Sequence, residues 1–67
     1  MIETLEQLRA EIAYRIDERI GIMTLGATPS KSVVEFATLA AYEWATKNYP
    51  ELYKDYVNDA QAAQAKA

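Results

Sequence analysis

The sequence contains neither cysteine nor histidine. The first absence excludes a disulfide framework and every thiolate metal site. The second removes the commonest metal ligand and the commonest general base. Glycine and proline occur only twice each, so long loops are not expected. No run approaches the about 18 apolar residues that a membrane span needs. No basic block of the kind that binds nucleic acid is present either. The 10 acidic and 7 basic residues are interspersed and leave a net charge of −3, which is weak support for an acidic, DNA-mimicking surface. The opening "MIETLEQL" is acidic and polar, unlike a signal peptide. A cytoplasmic setting is the expectation that fits a chain without cysteine.

With 67 residues there is room for a single domain, 1–67. A domain this small buries only about 60% of the surface of its unfolded chain. Its core is thin, and close helix packing or self-association is the remaining way to reinforce it.

What the chain does have is helical periodicity. At roughly 100° per residue, Leu5, Leu8, Ile12, Ile16, Ile20 and Met23 fall in one stripe, with Ile2 and Ala13 at its edge. Glu3, Gln7, Glu11, Tyr14 and Glu18 stand opposite. This predicts an amphipathic helix over roughly 2–23. Glu11 and Arg15 are spaced as a favourable i, i+4 pair. Arg9 and Arg19 lie in or beside the stripe, where they would snorkel or pair with another chain. The helix should weaken at Gly21 and be over by Gly26.

A second helix is predicted over roughly 29–47. Thr28 before Pro29 offers one start, and Ser32 with Glu35 a second, as a capping box. Val33, Val34, Ala37, Ala40, Ala41, Trp44 and Ala45 share one broad face. The alanines let another helix come close. Phe36, Leu39 and Tyr42 stand on the other side among Glu35, Glu43 and Thr46. A helix apolar on both sides is usually buried on both sides, which a monomer of this size cannot easily arrange. Asn48 is expected to close the helix in a left-handed conformation.

Pro50 suits a first helical position, and a third helix is predicted over roughly 50–64. Leu52, Tyr53, Tyr56, Val57, Ala60 and Ala63 form its stripe, while Lys54, Asp55, Asn58 and Asp59 face away. The segment 61–67 has high helix propensity but little to bury, so it is expected to fray. The fold class is therefore all-α, with three helices completed by self-association.

Two segments invite a chemical reading. "GIMTLGATPSKS", Gly21–Ser32, has the order of a phosphate-binding loop. Aligned on Lys31-Ser32, however, Leu25 and Ser30 occupy the two glycine positions of a Walker A loop, and Pro29 removes an amide that the cradle would use. It reads as the corner between two helices. "YEWATKNYPELYKDY" holds five aromatics in fifteen residues. Core filling accounts for Trp44, Tyr53 and Tyr56, while Tyr42 and Tyr49 lie off the main apolar face. Tyrosine and tryptophan also dominate interface hot spots. Phe36, Leu39, Tyr42, Tyr49, Tyr53 and Tyr56 are thus the candidate protein-interface residues.

No catalytic, metal or cofactor-binding residue is identified. Asp17 and Glu18 point around a helix, not into one site. Ser30 and Ser32 have no histidine to activate them. A chain this small also struggles to form a ligand pocket. The function expected is a non-enzymatic interaction module that self-associates, most simply as a dimer, binds a larger protein, or both. Small acidic helical proteins of this kind serve as adaptors or inhibitors, including phage-encoded ones, an origin suggested by size alone. The competing reading is a dimeric ribbon-helix-helix DNA-binding regulator with "RIGIMTL" as its strand. That strand would read bases with only Arg19 and Thr24. A helix-turn-helix centred on Gly26 fits less well, because it places Ser32 where an apolar residue must pack.

Overall fold

A computed structural model describes residues 1–66. It contains three α-helices, α1 (Leu5–Thr24), α2 (Lys31–Asn48) and α3 (Pro50–Lys66). Among the described residues there is no strand. Of Arg19–Leu25, the segment that a ribbon-helix-helix protein would need as a strand, Arg19–Thr24 belongs to α1 and Leu25 is its C-cap. Of the segment expected to fray, 61–66 lies within α3, and Ala67 falls outside the described residues.

The helix boundaries differ from expectation where local hydrogen bonding outweighs hydrophobic pattern. α1 starts at Leu5, not at Ile2. Thr4 is its N-cap: the Thr4 hydroxyl accepts from the Gln7 amide at 3.2 Å, and Gln7 Oε1 accepts from the Thr4 amide at 3.1 Å. This reciprocal capping box satisfies donors that a longer helix would leave open. α2 is capped neither by Thr28 nor by Ser32. Ser30 takes that role, its hydroxyl accepting from the Val33 amide at 3.2 Å. Asn48 stays helical and donates through Nδ2 to the Trp44 carbonyl at 2.9 Å. The break falls at Tyr49, which has φ −140°. A residue before proline is driven out of the α region by the proline ring, so Pro50 sets this corner.

The α1–α2 corner is built differently. Leu25 (φ 50°) and Gly26 (φ 87°) both adopt positive φ. The Leu25 amide donates to the Gly21 carbonyl and closes α1. For glycine this backbone is free of strain; for leucine it costs roughly 1 kcal/mol or more.

The core is small. Leu8 and Ile12 of α1 are fully buried against Ala41 and Ala45 of α2. Ile2, Ile16, Tyr42, Trp44, Tyr49, Leu52, Tyr53 and Tyr56 are half-buried around them. All three helix pairs are in contact, α1 with α2 most extensively. The principal extents are 33 × 32 × 16 Å. Two of these match the length of a 20-residue helix, about 30 Å, so the helices splay into a plate. The radius of gyration of 12.9 Å exceeds the roughly 11 Å of a compact chain of this length.

Gly21 offers a direct test of helix continuity. It lies inside α1 on the exposed side, and a Cβ there would meet nothing within 4 Å. Gly21→Ala should therefore raise stability by about 0.5–1 kcal/mol, read as a higher urea midpoint at unchanged slope. A loss of stability would show that residue 21 is not helical.

Candidate interaction surface

The surface follows from how α2 is filled. Ala37, Ala41 and Ala45 recur every four residues and are all buried. Their opposite side faces solvent, and there Phe36 (55% exposed) and Leu39 (67% exposed) stand. The structure thus brings two of the six candidate residues together on the outer face of α2.

Tyr42 is not part of that face. It was expected beside Phe36 and Leu39, but it is half-buried and packed against the core. Its ring lies 5.8 Å from Tyr53 and 6.0 Å from Tyr56, centroid to centroid. Tyr53 and Tyr56 stack on each other at 5.9 Å. A helical wheel gives the angle of Tyr42 on α2, but not which flank α3 will cover. Tyr49 is likewise half-buried, with its ring 5.6 Å from Trp44. Four of the candidate tyrosines therefore share intramolecular aromatic contacts, each worth about 0.5–1.5 kcal/mol beyond burial.

The charged residues are arranged by the same packing. Arg9 pairs with Asp59 of α3, although Asp59 was expected to face away; as an exposed pair it contributes little. Arg15 donates through Nε to Glu11 Oε2 at 2.9 Å. Its guanidinium carbon lies 3.7 Å from the Trp44 ring centroid, a cation–π contact. The pairing with Glu11 was legible from spacing. The contact with Trp44 was not, because it joins two helices. Among the described residues Arg19 takes part in no ion pair.

The exposed apolar end of the α1–α2 hairpin was not legible in the sequence. Apart from Met1 and Tyr14, the exposed large hydrophobic residues all lie between Ile22 and Leu39. Ile22 is 68% exposed and Leu25 90% exposed. The reason is geometric: α3 packs against the half of the hairpin that holds Leu8, Ile12 and Ala45, and no described residue covers the other half. There a groove of about 300 Å³ runs between α1 and α2, floored by Ala37, Ala40 and Ala41 and walled by Met23 and Trp44. Arg15 and Arg19 also line it.

Among the described residues no polar or charged side chain is buried, and no cluster of acidic residues could hold a metal ion. Among the described residues no helix is long and apolar enough to cross a membrane. No protein-family model, no characterised protein and no solved structure matches the chain.

The tyrosine cluster leaves a signature at alkaline pH. Interaction with the Tyr42 hydroxyl, together with burial, pushes the Tyr56 phenol up to about 12, and burial raises that of Tyr53. A phenol that ionises later when folded supports the fold below its unfolded value, near pH 10. That support is lost as pH rises through about 12. Spectrophotometric titration should show a late-ionising phenol that Tyr56→Phe removes. If both proteins titrate all their tyrosines together near pH 10, the cluster does not form.

Proposed function

We propose that this chain is a non-enzymatic interaction module that works as a homodimer and, once assembled, binds a larger protein as an adaptor or inhibitor does. One observation carries the reading: a thin plate of helices with Phe36 and Leu39 exposed on its central helix. A lone exposed apolar residue is ordinary. A row of two, continued by Val34 and by the apolar hairpin corner, is the kind of patch that marks a contact surface. Burying Phe36 and Leu39 fully would contribute about 1.5–3 kcal/mol each, a large addition to a core with two large buried side chains.

The area agrees. The chain exposes 5083 Å², whereas a compact monomer of this size exposes roughly 4,200 Å². The excess, roughly 800 Å², is about what each partner buries in a standard interface. The non-enzymatic part of the reading rests on composition, because a chain without histidine or cysteine lacks the usual nucleophile–base pairs. The absence of cysteine also suits a cytoplasmic protein.

Sedimentation equilibrium should give two chains per particle, and the melting temperature should rise with protein concentration. The double variant Phe36→Glu, Leu39→Glu should be monomeric, with its helical circular dichroism retained at low temperature. A wild type that stays monomeric at high micromolar concentration refutes the dimer.

A further inference from the structure

We infer that the dimer forms by antiparallel packing of α2 on α2 about a two-fold axis at Ala40, with Phe36 of each copy entering the α1–α2 groove of the other. This inference rests on the homodimer reading and adds the docking surface to it.

Phe36 and Ala40 are one turn apart on α2. Phe36 projects from the helix, whereas Ala40 lies in the groove floor. A projection and a recess side by side on one helix are what a two-fold contact needs. Rotation about the axis places each projection over the other copy's recess, and the contact closes after two copies. Antiparallel register about Ala40 sets Phe36 opposite Trp44 of the second copy, four residues away on either side of the axis. Trp44 forms one wall of the groove and stays half-buried within its own chain, with Arg15 over one face of its ring and Tyr49 beside it. An aromatic pair would therefore lie near the centre of the contact, where binding energy concentrates.

Charge follows the same register. Glu43 lies three residues beyond the axis and falls opposite Ala37 of the second copy. Ala37 shares the groove with Arg19, which has no ion-pair partner among the described residues. Among the described residues Glu43 has only the exposed Lys47 as partner, at 3.0 Å. The groove lining also holds Glu18, and its Arg15 is paired with Glu11, so the complementarity is that of one pair, Glu43 with Arg19, repeated at both symmetric positions. Leu25 points the same way. A leucine 90% exposed in a left-handed backbone contributes nothing to the fold of its own chain that glycine would not supply with less strain. Its position at the rim of the uncovered hairpin end suits a contact with another copy.

The chain has no cysteine, so a single introduced thiol reports one position. Packed helices lie about 8–10 Å apart between axes. With a helix radius of about 2.3 Å, facing Cα atoms of helices about 9–10 Å apart are roughly 4.4–5.4 Å from each other, within disulfide range. Ala40→Cys, incubated with oxidised glutathione, should become a disulfide-linked dimer. Thr46→Cys, on the far side of α2, should do so at least about ten-fold more slowly. Arg19→Glu should weaken the dimer by roughly ten-fold in dissociation constant, and adding Glu43→Arg should restore it. Circular dichroism at low temperature controls for folding. If sedimentation shows a dimer while Ala40→Cys links no faster than Thr46→Cys and the charge swap restores nothing, this docking is wrong and the dimer uses another face. If the wild type is monomeric at high micromolar concentration, the dimer reading falls and takes the docking with it.

Discussion

The structure depends on the contact between the alanine row of α2 and two large residues of α1. Ala41 and Ala45 present almost no side chain, so α1 can approach closely enough to bury Leu8 and Ile12. Every other apolar contact is arranged around that seam, and none of those residues is fully buried with the exception of Ala37. A core built on small residues is compact but contains little apolar area. The rest must come from the rim, and the aromatic run supplies it. Trp44 and Tyr49 close one side, and Tyr42, Tyr53 and Tyr56 close the side that α3 covers.

That arrangement explains why the molecule is lopsided. Pro50 turns the chain directly after α2, with Tyr49 as the only residue between the helices. α3 must therefore lie against the C-terminal half of α2 and the N-terminal half of α1, where Arg9 meets Asp59. It cannot also cover the distant hairpin end. The uncovered apolar residues from Ile22 to Leu39 thus follow from one short connection. The proposed dimer is the response to that geometry: a second copy covers what the third helix does not reach.

Charged side chains play a supporting part. The three ion pairs among the described residues are at the surface and each is worth little. Arg15 matters more through its stem and guanidinium, which cover Trp44, than through its charge on Glu11. Removing it would uncover an aromatic face as well as lose an ion pair.

By itself the sequence determined the three helices, because apolar spacing, propensity and the proline at position 50 are local properties that report helix and corner without reference to the rest of the chain. It also determined that Ala37, Ala41 and Ala45 face inward while Phe36 and Leu39 face outward, since side chains on one helix keep fixed angles. The N-caps of α1 at Thr4 and of α2 at Ser30 were open to the same kind of reading but turned on side-chain hydrogen bonds that hydrophobic pattern does not register. Only the tertiary structure decided the flanks. Whether Tyr42 is wet or covered, whether Arg15 lies on Trp44 and which half of the hairpin stays bare depend on where α3 crosses the other two helices. A crossing is set by contacts between residues far apart in the chain, such as Tyr42 with Tyr56 or Arg9 with Asp59, and the periodicity of each helix taken alone holds no information about it.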